Sequence, residues 1–331
     1  MQFVLSSDHA TFTDPVQPVR DEKLAYRLMK LQSQGKGGYL QAARKMIDPL
    51  TSLIGGGVAA LVLQDCLSQN NVLKKILLGE HQLLSLHLSE RNGEYVEEVC
   101  KWRKQCSIDD YRWIAVPSNA ALLSHKLRDT GGTLLTDCDL SKAADMDRVI
   151  AHCAQLATPV SIVTAYCEDG SDQEKITQVL IAFATLRAGG VAVFSIGEFY
   201  HHQNKLILWL LFLLFDNVLV SKPATSGSCT NTKFITCSGY RRHCYVAQYE
   251  SLHHAILQTP LLIEFPLSWS YWLTAQQNRY TLEKETALRR SLQVTTILLQ
   301  CNTGFSDSQL RHFVEKCYTD KNVRTLQLLT H

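Results

Sequence analysis

Residues able to do chemistry are scattered through this 331-residue sequence, and their spacing decides which sets are credible. Cys229, Cys237, His243 and Cys244 stand close together, but without a Cys-x-x-Cys pair they lack the paired thiolates of a structural zinc site. His201-His202 and His253-His254 have no acidic or cysteine companions at ligand spacing, so no metal centre is expected. A GxGxxG dinucleotide turn is also absent. What remains is a modest clustering of cations: Arg20, Lys23, Arg27, Lys30, Lys36, Arg44 and Lys45 near the start, diluted by Asp14, Asp21, Glu22 and Asp48, and Arg241-Arg242 after the segment PATSGSCTNTKFITCSGY. A solvated face explains such charges equally well. Glu168-Asp169-Gly170 adds carboxylates, in a stretch that also reads as a plain turn before a helix cap.

These residues need elements to hold them. Residues 1–19 carry Asp14, Pro15 and Pro18 with no sustained period and read as an N-terminal arm. Helices are expected over 21–34 and 39–47, and Gly55-Gly56-Gly57 leads into Val58–Leu63, a continuous apolar run of the kind found in a central parallel strand. Alternation follows: helix 71–78, strand 83–88, a charged helix near 94–104, strands at 113–116 and 134–136, helix 144–156 and strand 160–165. Helix 172–187 is ended by Gly189-Gly190, and strands 191–196, 217–221 and 233–238 come next, with a helix of about 10 residues between the first two. This order predicts an α/β fold with a mostly parallel sheet covered on both faces. After Tyr249 the chain turns helical, most clearly over 268–292 and 306–318. The expected division is therefore 1–19, 20–249 and a helical extension at 250–331.

Composition sets the bounds. Lys and Arg total 33 against 31 Asp and Glu, a net charge of +2, so any nucleic-acid contact must come from local clustering. Hydrophobic residues at 46% and charged at 19% describe an ordinary globular chain. Eleven cysteines, with no secretory pattern at the start, argue for free thiols in a reducing compartment, the nucleus or cytoplasm. The apolar run 206–215 is only 10 residues long, far short of the roughly 20 that span a bilayer, and reads as a helix packed on the sheet. Trp102, Trp113, Trp209, Trp269 and Trp272 read as core or interface anchors.

Lys-Pro-Ala-Thr-Ser after the apolar strand 217–221 and before Phe-Ile-Thr-Cys, together with the Gly-Gly strand at 189–196, resembles the FtsJ-type RNA ribose 2′-O-methyltransferases. Within them the chain looks most like the cap-specific mRNA enzymes that act on the second transcribed nucleotide, over roughly residues 39–240. The resemblance implies a Rossmann-like methyltransferase fold with an antiparallel closing strand, S-adenosylmethionine as cofactor and capped mRNA as substrate. It also implies a Lys-Asp-Lys-Glu set that deprotonates a ribose hydroxyl.

Carried over residue by residue, that set is mostly missing. The first lysine falls on Lys45. The aspartate falls on Tyr166, a phenol that cannot stand in for a carboxylate at neutral pH, or on Asp169 if the loop slides by three. The second lysine falls on Ser195, with Glu198 nearby of the wrong sign, and the glutamate falls on Thr232. The arginine usual after the Lys-Pro motif is Gly227. The cofactor loop, placed after Val58–Leu63, contains Gln64, Asp65 and Ser68 and no glycine, although backbone must approach the ligand closely there. The expected product is a methyltransferase-like domain that is itself non-catalytic. It would support a catalytic methyltransferase domain in cis or in trans, or help hold RNA through Lys45, Lys222, Arg241 and Arg242. The alternatives are a divergent active enzyme and a protein scaffold without RNA contact.

Overall fold

A computed structural model describes residues 82–90, 93–105, 108, 110–117, 132–166, 171–199, 201–222, 232–246 and 265–301, with Lys30, Leu63 and Cys66. The chain divides into two compact units. One, drawn from 59–223 and 232–263, holds the sheet; the other, drawn from 1–58, 224–231 and 264–331, contains a 35-residue helix.

Seven strands form the sheet: β1 (Gln82–Glu90), β2 (Asp110–Pro117), β3 (Thr133–Leu134), β4 (Val160–Ala165), β5 (Leu186–Ile196), β6 (Phe215–Ser221) and β7 (Lys233–Tyr240). Their order is β3-β2-β1-β4-β5-β7-β6. All pairings among β1 to β5 are parallel, and β7 runs antiparallel to both β5 and β6. This is the Rossmann-like methyltransferase arrangement, mostly parallel with one reversed strand. The helices between strands are α1 (Glu94–Gln105), α2 (Ala143–Ala154), α3 (Asp172–Thr185) and α4 (His202–Leu214), followed by the short α5 (Arg242–Val246) and the long α6 (Leu267–Cys301).

Local chemistry accounts for these boundaries. The N-terminus of α3 is capped by Ser171, whose Oγ accepts from the Glu174 N–H at 3.1 Å. The strands of the sheet's centre are buried along both faces, as expected where helices cover both: β4 is buried at all six positions, Ser161 and Thr164 included. The stretch 206–215 is the buried body of α4, except that Phe215 opens β6. No helix among the described residues is long and apolar enough to cross a membrane.

Two expectations are corrected. The expected strand Val58–Leu63 lies outside the described residues except for Leu63, which is helical and fully buried, as is Cys66 three residues on, and the central strand of the described sheet is β1. Gly189-Gly190 does not end a helix. It lies inside β5, where Val160 pairs Leu186 and Ile162 pairs Val191, so residues 187–190, the two glycines among them, bulge opposite Ser161 alone. Gly189 has φ +74°, and a Cβ on Gly190 would press on the Arg187 and Ser161 carbonyls.

An aromatic cluster fixes the reversed strand. Tyr240 stacks on Phe183 with centroids 6.1 Å apart, meets Phe215 at 5.1 Å, and donates its hydroxyl to the Phe183 carbonyl at 2.6 Å. The expected helices 39–47, 71–78 and 306–318 lie outside the described residues.

Candidate functional site

In open α/β sheets a ligand binds beyond the carboxyl ends of the strands, where the strand order reverses. Here the order reverses between β1 and β4, and the edge collects the ends of β1, β4, β5 and β6 with the start of β7. Tyr166 is the first residue past β4. Its N–H donates to the Leu88 carbonyl at 3.2 Å, and its ring lies 6.5 Å from that of Tyr95. Ser195 is the penultimate residue of β5 and Thr232 immediately precedes β7; both are buried. Three of the positions expected to hold ionisable groups thus do reach one edge, carrying a phenol and two hydroxyls.

The four expected RNA contacts do not come together. Lys222 is at this edge, donating to the Thr232 carbonyl at 3.4 Å. Arg241 and Arg242 are at the opposite edge, because β7 is antiparallel and carries its end away from the site. There Arg241 donates to the Phe215 carbonyl at 2.6 Å and pairs with Asp216, while Arg242 donates to the Leu186 carbonyl at 2.8 Å. They close the backbone where β5 and β6 begin. Lys45, Asp169, Gln64, Asp65 and Ser68 lie outside the described residues.

With β1 as the central strand, the loop that would cradle a cofactor is 89–93, not 63–70. Its sequence Ser-Glu-Arg-Asn-Gly has one glycine, Gly93, at φ 76°, and Ser89 adopts φ 52° without being glycine. The loop is occupied with itself. The Gly93 N–H donates to Glu90 Oε1 at 3.0 Å; Ser89 Oγ donates to Glu174 Oε1 at 2.7 Å and accepts from Gln178 Nε2 at 2.8 Å. Glu90 and Tyr95 are buried against it, and burial, then the neighbouring Glu90, Tyr166, Cys66 and Glu94, holds the Tyr95 phenol well above its ordinary range. At the end of β2, where an acidic side chain would hold a ribose, stand Val116 and Pro117. The described residues of this connection do not fit S-adenosylmethionine: the Gly93 N–H is spent on the Glu90 carboxylate, and Glu90 and Tyr95 are buried beside the strand end.

Sequence comparison points the same way as the strand order. Over an alignment of 188 residues the chain is 23% identical to the cap-specific mRNA (nucleoside-2'-O-)-methyltransferase 2 of Danio rerio. The chain resembles the FtsJ-like methyltransferases. The match takes in 48% of this chain but 25% of that relative, so the chain spans about a quarter of the length of the curated protein it matches. No family model matches. Among solved structures, an rRNA methylase from Streptococcus thermophilus is 11% identical with a TM-score of 0.37, covering 52% of this chain and 95% of that one. Human methyltransferase-like protein 13, solved with SAH, is 10% identical with a TM-score of 0.36, covering 67% and 91%. The assignment of the fold rests on strand order and direction.

Two residues at this edge escaped the sequence reading. Lys233 and Glu198 form a buried ion pair, Nζ to Oε2 at 3.3 Å. Their 35-residue separation in the sequence hides the pairing until β5 and β7 are laid side by side.

Proposed function

We propose that this chain is a non-catalytic methyltransferase-like domain that supports a catalytic 2′-O-ribose methyltransferase half, in the same polypeptide or in another, acting on capped mRNA in the nucleus or cytoplasm. One observation carries this reading: Tyr166, Ser195 and Thr232 occupy the edge where ribose deprotonation needs a carboxylate, an amine and a second carboxylate. None of the three can both hold a charge at neutral pH and lower the barrier to removing a 2′-hydroxyl proton. The self-occupied 89–93 loop supports it, as does the relative's far greater length, which leaves room for a separate catalytic half. Docking to that half is favoured over RNA holding, because Lys222, Arg241 and Arg242 are each engaged with backbone carbonyls; the RNA contact proposed is then Lys45.

The test is ribose methylation read by mass spectrometry after long incubation of capped RNA with S-adenosylmethionine and the chain alone, then with an intact catalytic half. No product alone, and a higher yield from the catalytic half when the chain is present, is the expected result. Product from the chain alone that disappears in Lys45→Ala and Asp169→Ala would establish the active enzyme instead.

A further inference from the structure

A lysine and a glutamate do pair at this edge, on the other face: Lys233 opens β7 and Glu198 lies two residues past the end of β5. In the antiparallel pairing Ser195 lies opposite Phe234 and Ile196 opposite Lys233. Directly paired residues share a face and successive residues alternate, so Lys233 and Ile196 face one side and Ser195 and Phe234 the other. A displacement of one residue is enough to move a charge through the sheet. Glu198, two residues beyond Ile196, meets Lys233 on that second side.

The pair is enclosed. The side chains of Lys233 and Glu198 are 3% and 12% exposed, and the Lys233 ammonium sits 5.1 Å from the centre of the Phe199 ring. The Glu198 backbone carbonyl accepts from Asn204 Nδ2 at 2.7 Å, which ties the β5–α4 connection to the first turn of α4. We infer that Lys233 and Glu198 form an electrostatic latch that fixes the start of β7 to this connection, and that they do not act as a base on a hydroxyl. The inference rests on the non-catalytic reading of the same edge: Ser195 and Phe234, paired on one face, are uncharged, and the latch joins the strands from the opposite face.

A latch has a signature that a catalytic pair lacks. Removing one partner leaves the other charge buried and unmatched, whereas replacing both by apolar groups of similar size restores packing. In the full chain, Lys233→Met and Glu198→Gln should each lower the melting midpoint by roughly 10 °C, and Lys233→Met/Glu198→Leu should recover at least half of that loss. If Lys233→Met does not accumulate as folded protein, the comparison of Glu198→Gln with the double variant decides: recovery supports the latch and further loss overturns it. Additive losses overturn the latch and leave the non-catalytic reading standing. Methylation of capped RNA by the unaltered chain that vanishes in Glu198→Gln overturns both.

Discussion

His87 is the group through which acid should destabilise this sheet. It lies in the middle of β1, fully buried, with Nδ1 2.8 Å from Thr164 Oγ1 and Nε2 2.7 Å from Ser85 Oγ, which is in turn 2.8 Å from the Tyr111 hydroxyl. Both ring partners are hydroxyls, able to accept as well as donate, so hydrogen bonding does not forbid the imidazolium. Burial does, and it lowers the pKa from 6.5 to about 3. Because the folded value lies below the unfolded one, the stabilisation is complete above pH 6.5 and is lost as pH falls toward 3. Linkage puts the loss at about 2 kcal/mol between pH 7 and pH 5, and about 4 kcal/mol by pH 3.

The measurement is urea unfolding at pH 7 and pH 5 for the unaltered chain and for His87→Gln, an amide that can still bond both hydroxyls. For the unaltered chain the midpoint should fall by roughly 1 M at a slope of about 2 kcal/mol per molar, on top of whatever its carboxylates contribute. The variant will start lower, but the His87 share of the fall should be missing. Parallel shifts for the two proteins, or a His87 titration near 6.5 by NMR in the folded chain, would refute the argument that burial alone sets this pKa.

Calorimetric titration with S-adenosylmethionine should give no binding isotherm, and a dissociation constant in the low micromolar range, about −7 to −8 kcal/mol, would show that the 89–93 loop opens. Gly239 has φ +74° and a Cβ there would run into the Asp216 carboxyl, so Gly239→Ala should cost more than about 1 kcal/mol by thermal melting, with only partial relief from Asp216→Ala. On α6, Trp269 is buried with its ring 4.6 Å from Phe265, whereas Trp272 is half-buried. Trp269→Ala should therefore lower the melting midpoint, and Trp272→Ala should leave it nearly unchanged while weakening co-purification with a catalytic half; unfolding of the second variant would make Trp272 core.

The sheet was legible wherever burial on both faces writes a continuous apolar run bounded by turn residues. Val160–Ala165 has the expected limits, and β1, β2, β5, β6 and β7 differ from expectation only at their ends. The same signal misled at Leu63, the one described residue of the run 58–63, because a buried helix and a central strand are both apolar throughout and periodicity in a short run does not separate them. Gly189-Gly190 was ambiguous for a related reason: positive φ serves a helix end and a strand bulge alike. At the candidate site, counting from Gly190 reached Ser195 because a strand has a fixed rise and alternation. No count along the chain could reveal that Lys233 meets Glu198, or that Arg241 and Arg242 leave the edge, since both facts depend on β7 running backwards.

A working ligand edge keeps polar groups whose partners arrive with the ligand, and the fold bears that cost. This edge has supplied many of its own partners. Gly93 bonds Glu90, Ser89 bonds Glu174 and Gln178, Lys222 bonds the Thr232 carbonyl, and Lys233 pairs with Glu198. Each of these contacts stabilises the domain without a ligand and withholds a donor or charge from one. Asn204 Oδ1 and, at the end of β6, Ser221 Oγ are buried without a hydrogen bond and are contrary cases among the described residues. A cofactor at this edge would have to displace contacts that hold the domain together, and each displacement would subtract from its binding free energy.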